Sequence, residues 1–160
     1  MNDAHLHLAI NHFPIIGLTI GILVLLFGFL FKNNTIKLTA LAIFIFSAIT
    51  AIIANYTGEG AEEFIENIPG IGENFIETHE EAAEVFLIFM LILGGASLIT
   101  FFLTIKKMNI AIYGYILVAL LAISSALASI NVGTSGGEIR HTEIRSDATT
   151  TLRQIPEDDD

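Results

Sequence analysis

Cysteine is absent from the 160 residues, and so is tryptophan. Without a thiol, the chain has no disulfide, no thiolate-held iron–sulfur cluster, no Cys-type structural zinc and no covalently attached haem. Charge is scarce as well: Asp, Glu, Lys and Arg make up 15% of the chain, where a soluble domain carries roughly a quarter. Positive charge is the scarcest, with 7 Lys and Arg against 17 Asp and Glu and a formal net charge of −10. That balance offers no basic face to nucleic acid. Neither a phosphate-binding glycine loop nor a Ser-His-Asp arrangement is legible. Nothing demands an independent enzyme, and an electron-transfer or accessory subunit is the expectation.

What fills the chain is apolar: 53% of residues are hydrophobic and the mean hydropathy is +0.70. Four runs dominate, at 13–31, 38–54, 85–105 and 110–130, and none contains a charged residue or histidine. Each approaches the roughly 17–25 residues a helix needs to cross a bilayer and far exceeds a barrel strand. The expected fold is all-α, an integral membrane four-helix bundle with spans at about 10–31, 38–56, 82–105 and 110–131. Residues 1–131 form the bundle; 132–160 form an external tail whose acidic end is expected to be disordered. The first run is expected to be a retained span, because residues 1–5 lack the basic residues that open a signal peptide.

Charge sets the expected orientation. Lys32, Lys37, Lys106 and Lys107 occupy the two short turns after the first and third spans, and neither turn contains an acid. The positive-inside rule puts those turns in the cytoplasm and both termini on the outer, periplasmic side of a bacterial inner membrane. Short turns make successive helices antiparallel neighbours, giving an up-down-up-down bundle with the first and third helices diagonal. Small residues supply close-packing surfaces: Gly17-x-x-x-Gly21, Gly94-Gly95, and a stripe of Ala119, Ala122, Ala126 and Ser129. Neither helix pair reads as a repeat of the other. Glycines at Gly58-Glu59-Gly60 predict the end of the second span, followed by a short surface helix over 61–66. Pro69-Gly70 and Gly72 punctuate the loop, and Thr78 with Glu81 reads as a capping box opening the third helix. Residues 133–137, rich in Gly, read as a flexible turn.

All five histidines fall on the expected outer side: His5, His7, His12, His79 and His141. His12 and His79 stand at matching depth at the N-terminal ends of helices expected to be diagonal. There the helix dipole favours the neutral, metal-ligating ring. Ala82, Ala83 and Phe86 follow His79 at helical spacing and offer a face for a porphyrin edge. His12 and His79 are therefore the expected axial ligands of a haem b iron, with no open coordination position. Arg140 can pair propionates through its planar fork, and His141 can ligate or cap. Glu138-Ile-Arg-His141 has the Glu-x-x-His spacing of di-iron bundles, but the second copy such a site needs is missing. His5-x-His7 reads as a loose copper or zinc site at a flexible end. The bland alternative is that each histidine only satisfies headgroups, water or carboxylates. Transport is disfavoured because no acid lies at midplane depth.

The string His12-Phe13-Pro14-Ile15-Ile16-Gly17 resembles the His-Phe-Pro-Ile opening of a family of small bacterial four-helix membrane proteins with an uncharacterised domain. Thr57-Gly58, His79 and Gly136-Gly137 match further short motifs of that family, whereas residues 138–141 depart from it. Relatives look like b-type cytochromes or partners of redox modules, so the resemblance implies haem at His12 and His79. The expected partners are the lipid bilayer, other membrane or periplasmic redox proteins and quinone. The alternatives are an accessory subunit of a larger membrane complex, or an external site for iron, copper or zinc.

Overall fold

A computed structural model describes residues 2–65 and 72–145 of the chain. The described residues form five α-helices: α1 (Asp3–Ile10), α2 (Phe13–Leu30), α3 (Asn34–Ile65), α4 (Glu73–Ile105) and α5 (Ala111–Arg140). A single 3-10 turn, Thr142–Ile144, follows α5. Four helical stretches, α1 and α2 counting as one, are long and apolar enough to cross a membrane. Large apolar side chains cover the outside, among them Ile20, Phe46, Ile88, Leu98, Leu120 and Leu127. A water-exposed surface of that kind is rare in a soluble monomer but is what hydrocarbon accepts.

The interfaces run α2 on α3, α3 on α4 and α4 on α5, with a narrower contact between α2 and α5; α1 lies on α3. Gly17 faces Ser47, Gly21 faces the Phe44 ring and Gly28 faces Lys37, so contact partners run backward along α3 as α2 goes forward. A Cβ at any of the three would overlap its neighbour, and this is how backbones approach closely where water cannot drive association. Gly94 meets Ala48 in the same way, whereas Gly95 meets nothing. The centre is filled by Leu18, Leu41, Phe44, Met90, Leu93 and Val118, all essentially inaccessible.

Both lysine-bearing turns are built alike. Lys32 and Lys107 adopt left-handed backbone, with φ of 51° and 54°. Each is the residue after a helix cap in a six-to-one, five-to-two bond pair. Asn33 N bonds Gly28 O and Lys32 N bonds Phe29 O; Met108 N bonds Leu103 O and Lys107 N bonds Thr104 O. Glycine usually takes this position, so the lysines hold it at a steric cost. At the same end Lys37 Nζ lies over the Phe29 and Tyr115 rings, at 5.5 and 5.2 Å from their centroids, and links α3 to α2 and α5.

At the opposite ends the helices are longer than their apolar runs suggest. Residues 3–10 form α1, not a flexible end, with Asn2 capping it by accepting from His5 N. Gly58-Glu59-Gly60 does not break α3, which continues through Ile65 and absorbs most of the expected surface helix. Gly58 lies against the His7 ring and Gly60 against Asp3, so packing with α1 outweighs the weak helix propensity of glycine. The third long helix begins at Glu73 behind Gly72, and Thr78, five residues inside, donates to Asn74 O at 2.7 Å rather than capping. Residues 133–137 are likewise helical, within α5. Pro69-Gly70 and the acidic chain end lie outside the described residues.

Candidate functional site

Extending the helices past the apolar runs brings two histidines into protein contact. His7, on α1, donates through Nδ1 to the Ala54 carbonyl at 2.9 Å, with Thr57 Oγ1 at 3.4 Å. His79, on α4, places Nδ1 3.1 Å from Ser135 Oγ and within reach of the Val132 carbonyl. Gly58 sits beside the first ring, and Gly136 beside the second, where a Cβ would stand 3.3 Å and 3.0 Å from the respective Cε1. The two seats share a construction: a histidine on one helix, and on a packed neighbour, α3 for His7 and α5 for His79, a carbonyl followed three residues later by a hydroxyl–glycine pair. The hydroxyls match too, since Thr57 Oγ1 bonds Ile53 O and Ala54 O while Ser135 Oγ bonds Asn131 O and Val132 O.

This geometry fixes the tautomer. A carbonyl can only accept, so the proton of His7 is on Nδ1. Ser135 spends its one proton on Asn131 O at 2.7 Å, so its oxygen accepts from His79 Nδ1. With Nδ1 committed as the donor, Nε2 is the lone-pair nitrogen of each ring in its neutral form. An Nδ1–H held by a carbonyl or hydroxyl is the arrangement that orients a metal-ligating histidine. The rings are half-buried.

His12 is placed differently from His79. It is exposed, caps the start of α2 without a side-chain bond to that helix, and its Nδ1 bonds the neighbouring Asn11 side chain. The structure therefore seats His7 against α3 and His79 against α5, and leaves His12 exposed at the start of α2. His5 is exposed and bonds Asn2. His141 is exposed and pairs with Glu143 at 2.9 Å. The Glu143 carboxyl is held below the usual carboxylate range, chiefly by its own backbone N–H and then by His141.

Arg140 is exposed and makes no ion pair among the described residues. The arginine that organises the end of α5 is Arg145, which composition alone did not single out. Its guanidinium donates to Glu138 O and Ile139 O at 2.8 and 3.2 Å and stacks on Phe75 at 4.0 Å. It thus satisfies carbonyls that the helix end leaves open and ties α5 to the start of α4. Ala82 and Ala83 are partly buried beside His79, while Phe86 is a core residue.

No group of three or more His, Cys, Asp or Glu side chains that could hold a metal ion is assembled among the described residues. A bare zinc or copper ion wants about four protein or water ligands, which this set does not offer. Haem iron brings four nitrogens of its own and needs only two axial donors, and two neutral imidazoles fit that demand. Comparison with known protein families, with curated proteins and with solved structures finds no match to the chain.

Proposed function

We propose that this chain is a multi-pass electron-transfer protein or subunit of a bacterial inner membrane, holding haem b between His7 and His79 near the outer face. The observation that carries the reading is the pair of equivalent seats, each committing Nδ1 and leaving Nε2 for iron. In this reading the helices run up-down-up-down with both termini outside, which the lysine-only turns support by the positive-inside rule. α4 has 33 residues, or about 50 Å of helix, against a hydrocarbon layer of about 30 Å. Its first turns, with His79, then stand in the outer interfacial region, where a cofactor is reachable by external partners.

Bound iron with two imidazole ligands supplies reversible one-electron chemistry without an open coordination position. The chain's own residues have three tasks. The Ala54 carbonyl and Ser135 Oγ hold the ring protons on Nδ1 and raise the basicity of Nε2. Gly58 and Gly136 let each imidazole approach helix backbone closely. The apolar cover of the bundle keeps water from the inner side of the site. The test is pyridine haemochrome quantitation of protein purified from haem-replete cells, with one haem per chain expected. A colourless protein would return the histidines to a structural role in an accessory subunit.

A further inference from the structure

An open groove lies between α4 and α5 beside the His79 seat, and its polarity is one-sided. Thr78, Thr134 and Ser135 line it, and each hydroxyl proton is already committed to a backbone carbonyl, at 2.7, 3.0 and 2.7 Å. These side chains therefore present lone pairs only. Glu81 and Glu138 add two carboxylates, which also accept, and the Asn131 amide is the one side-chain donor in the lining. The other end of the groove is apolar, formed by Ala82, Val85 and Ala128. From Thr78 to Val85 is two helical turns, about 10 Å, so the groove has a wet outer half and a greasy inner half.

We propose that this groove binds the reduced form of a lipid-soluble quinone, a quinol, with its ring at the acceptor-rich end and its tail leaving along Val85 into the bilayer. The inference rests on the electron-transfer reading, which it deepens by naming the class of ligand held beside the His79 seat. Two hydroxyl groups on a flat ring match a set of acceptors; the oxidised quinone, which offers only carbonyl oxygens, finds Asn131 alone. The groove thus distinguishes the two redox forms by hydrogen-bond polarity, holding the donor form and releasing the acceptor form. A buried or interfacial acceptor left without its hydrogen is the basis of that discrimination. Ser135 belongs to both places: its oxygen accepts from His79, and the residue lines the groove, so a bound ring lies beside the histidine seat.

The experiment is equilibrium dialysis of detergent-purified full-length protein with decyl-benzoquinol or decyl-benzoquinone under argon, against protein-free micelles. Saturable retention of about one quinol per chain is expected, with the quinone held at least tenfold more weakly. Ala82→Phe and Ala128→Phe, each checked for unchanged helix content, fill the apolar half and should both abolish retention. Glu81→Gln with Glu138→Gln introduces donors and should shift the preference toward the quinone. His79→Ala should keep the quinol even if it loses colour, so failure of the haem reading and failure of this one are separable. No retention above micelles, equal retention of both redox forms, retention unchanged in both Phe variants, or displacement by phosphatidylethanolamine would each overturn the proposal.

Discussion

His7 donates its Nδ1 proton to the Ala54 carbonyl at 2.9 Å, and that one bond decides which ring nitrogen is left for chemistry. The same choice is made 72 residues later at His79, where Ser135 takes the place of the acceptor. Two rings on different helices, each with Nδ1 tied to a neighbouring helix, are more than exposure at a helix end requires.

Glycine at the seats has two opposed effects, and this separates them. Gly136 lies inside α5, where alanine is worth about 1 kcal/mol in helix propensity. Yet a Cβ there would stand 3.0 Å from His79 Cε1 and push the ring. Gly136→Ala is therefore expected to hold or raise the melting temperature of the purified protein while weakening haem retention about tenfold or more. Gly58→Ala, with a looser 3.3 Å approach, should show the milder version.

Replacing Lys32 or Lys107 with glycine removes the left-handed strain at the two turns. Each change should stabilise the protein by about 1 kcal/mol in detergent unfolding. Lys→Ala at the same positions removes the charge but keeps the strain, and should give no such gain.

The helix runs and the turn charges were legible because they depend on composition over many residues. Helix ends were not, since they depend on what each glycine or threonine touches. Gly58-Glu59-Gly60 and residues 133–137 have the composition of breaks, yet they are helical where His7, Asp3 and His79 occupy the space beside missing Cβ atoms. Thr78 and Glu81 carry a capping-box pattern inside a helix that had already begun at Glu73. His12 and His7 could not be ranked by spacing, because α1 ends at Ile10 and α2 starts at Phe13, and the break resets the helical phase. The signal that was available is the recurrence of a hydroxyl–glycine pair, Thr57-Gly58 and Ser135-Gly136, some fifty residues after each seated histidine.

Ser97 Oγ is buried and without a hydrogen-bond partner, the single such side-chain atom among the described residues. An unsatisfied hydroxyl costs roughly 1–3 kcal/mol. Ser97→Ala should therefore be neutral or stabilising by about 1 kcal/mol, in contrast to Gly28→Ala, whose Cβ would meet Lys37 backbone nitrogen at 3.0 Å and should destabilise.

The His141–Glu143 pair gives a pH dependence confined to the end of α5. Because the Glu143 carboxyl is depressed in the folded chain, its contribution is present above the ordinary carboxylate range and is lost as pH falls through the lowered value. The group is fully exposed, so acidification should release the 3-10 turn alone, seen as local changes at Thr142–Ile144 in amide NMR with helix content unchanged.

The most direct measurement is the reduced-minus-oxidised absorption spectrum of the purified protein beside His7→Ala, His79→Ala and His12→Ala. Sharp alpha and beta bands are expected in the parent and in His12→Ala, and their loss in both seat variants, with partial recovery on adding free imidazole. A colourless parent, or bands that survive both His7→Ala and His79→Ala, would contradict the assignment of the two seats as haem ligands.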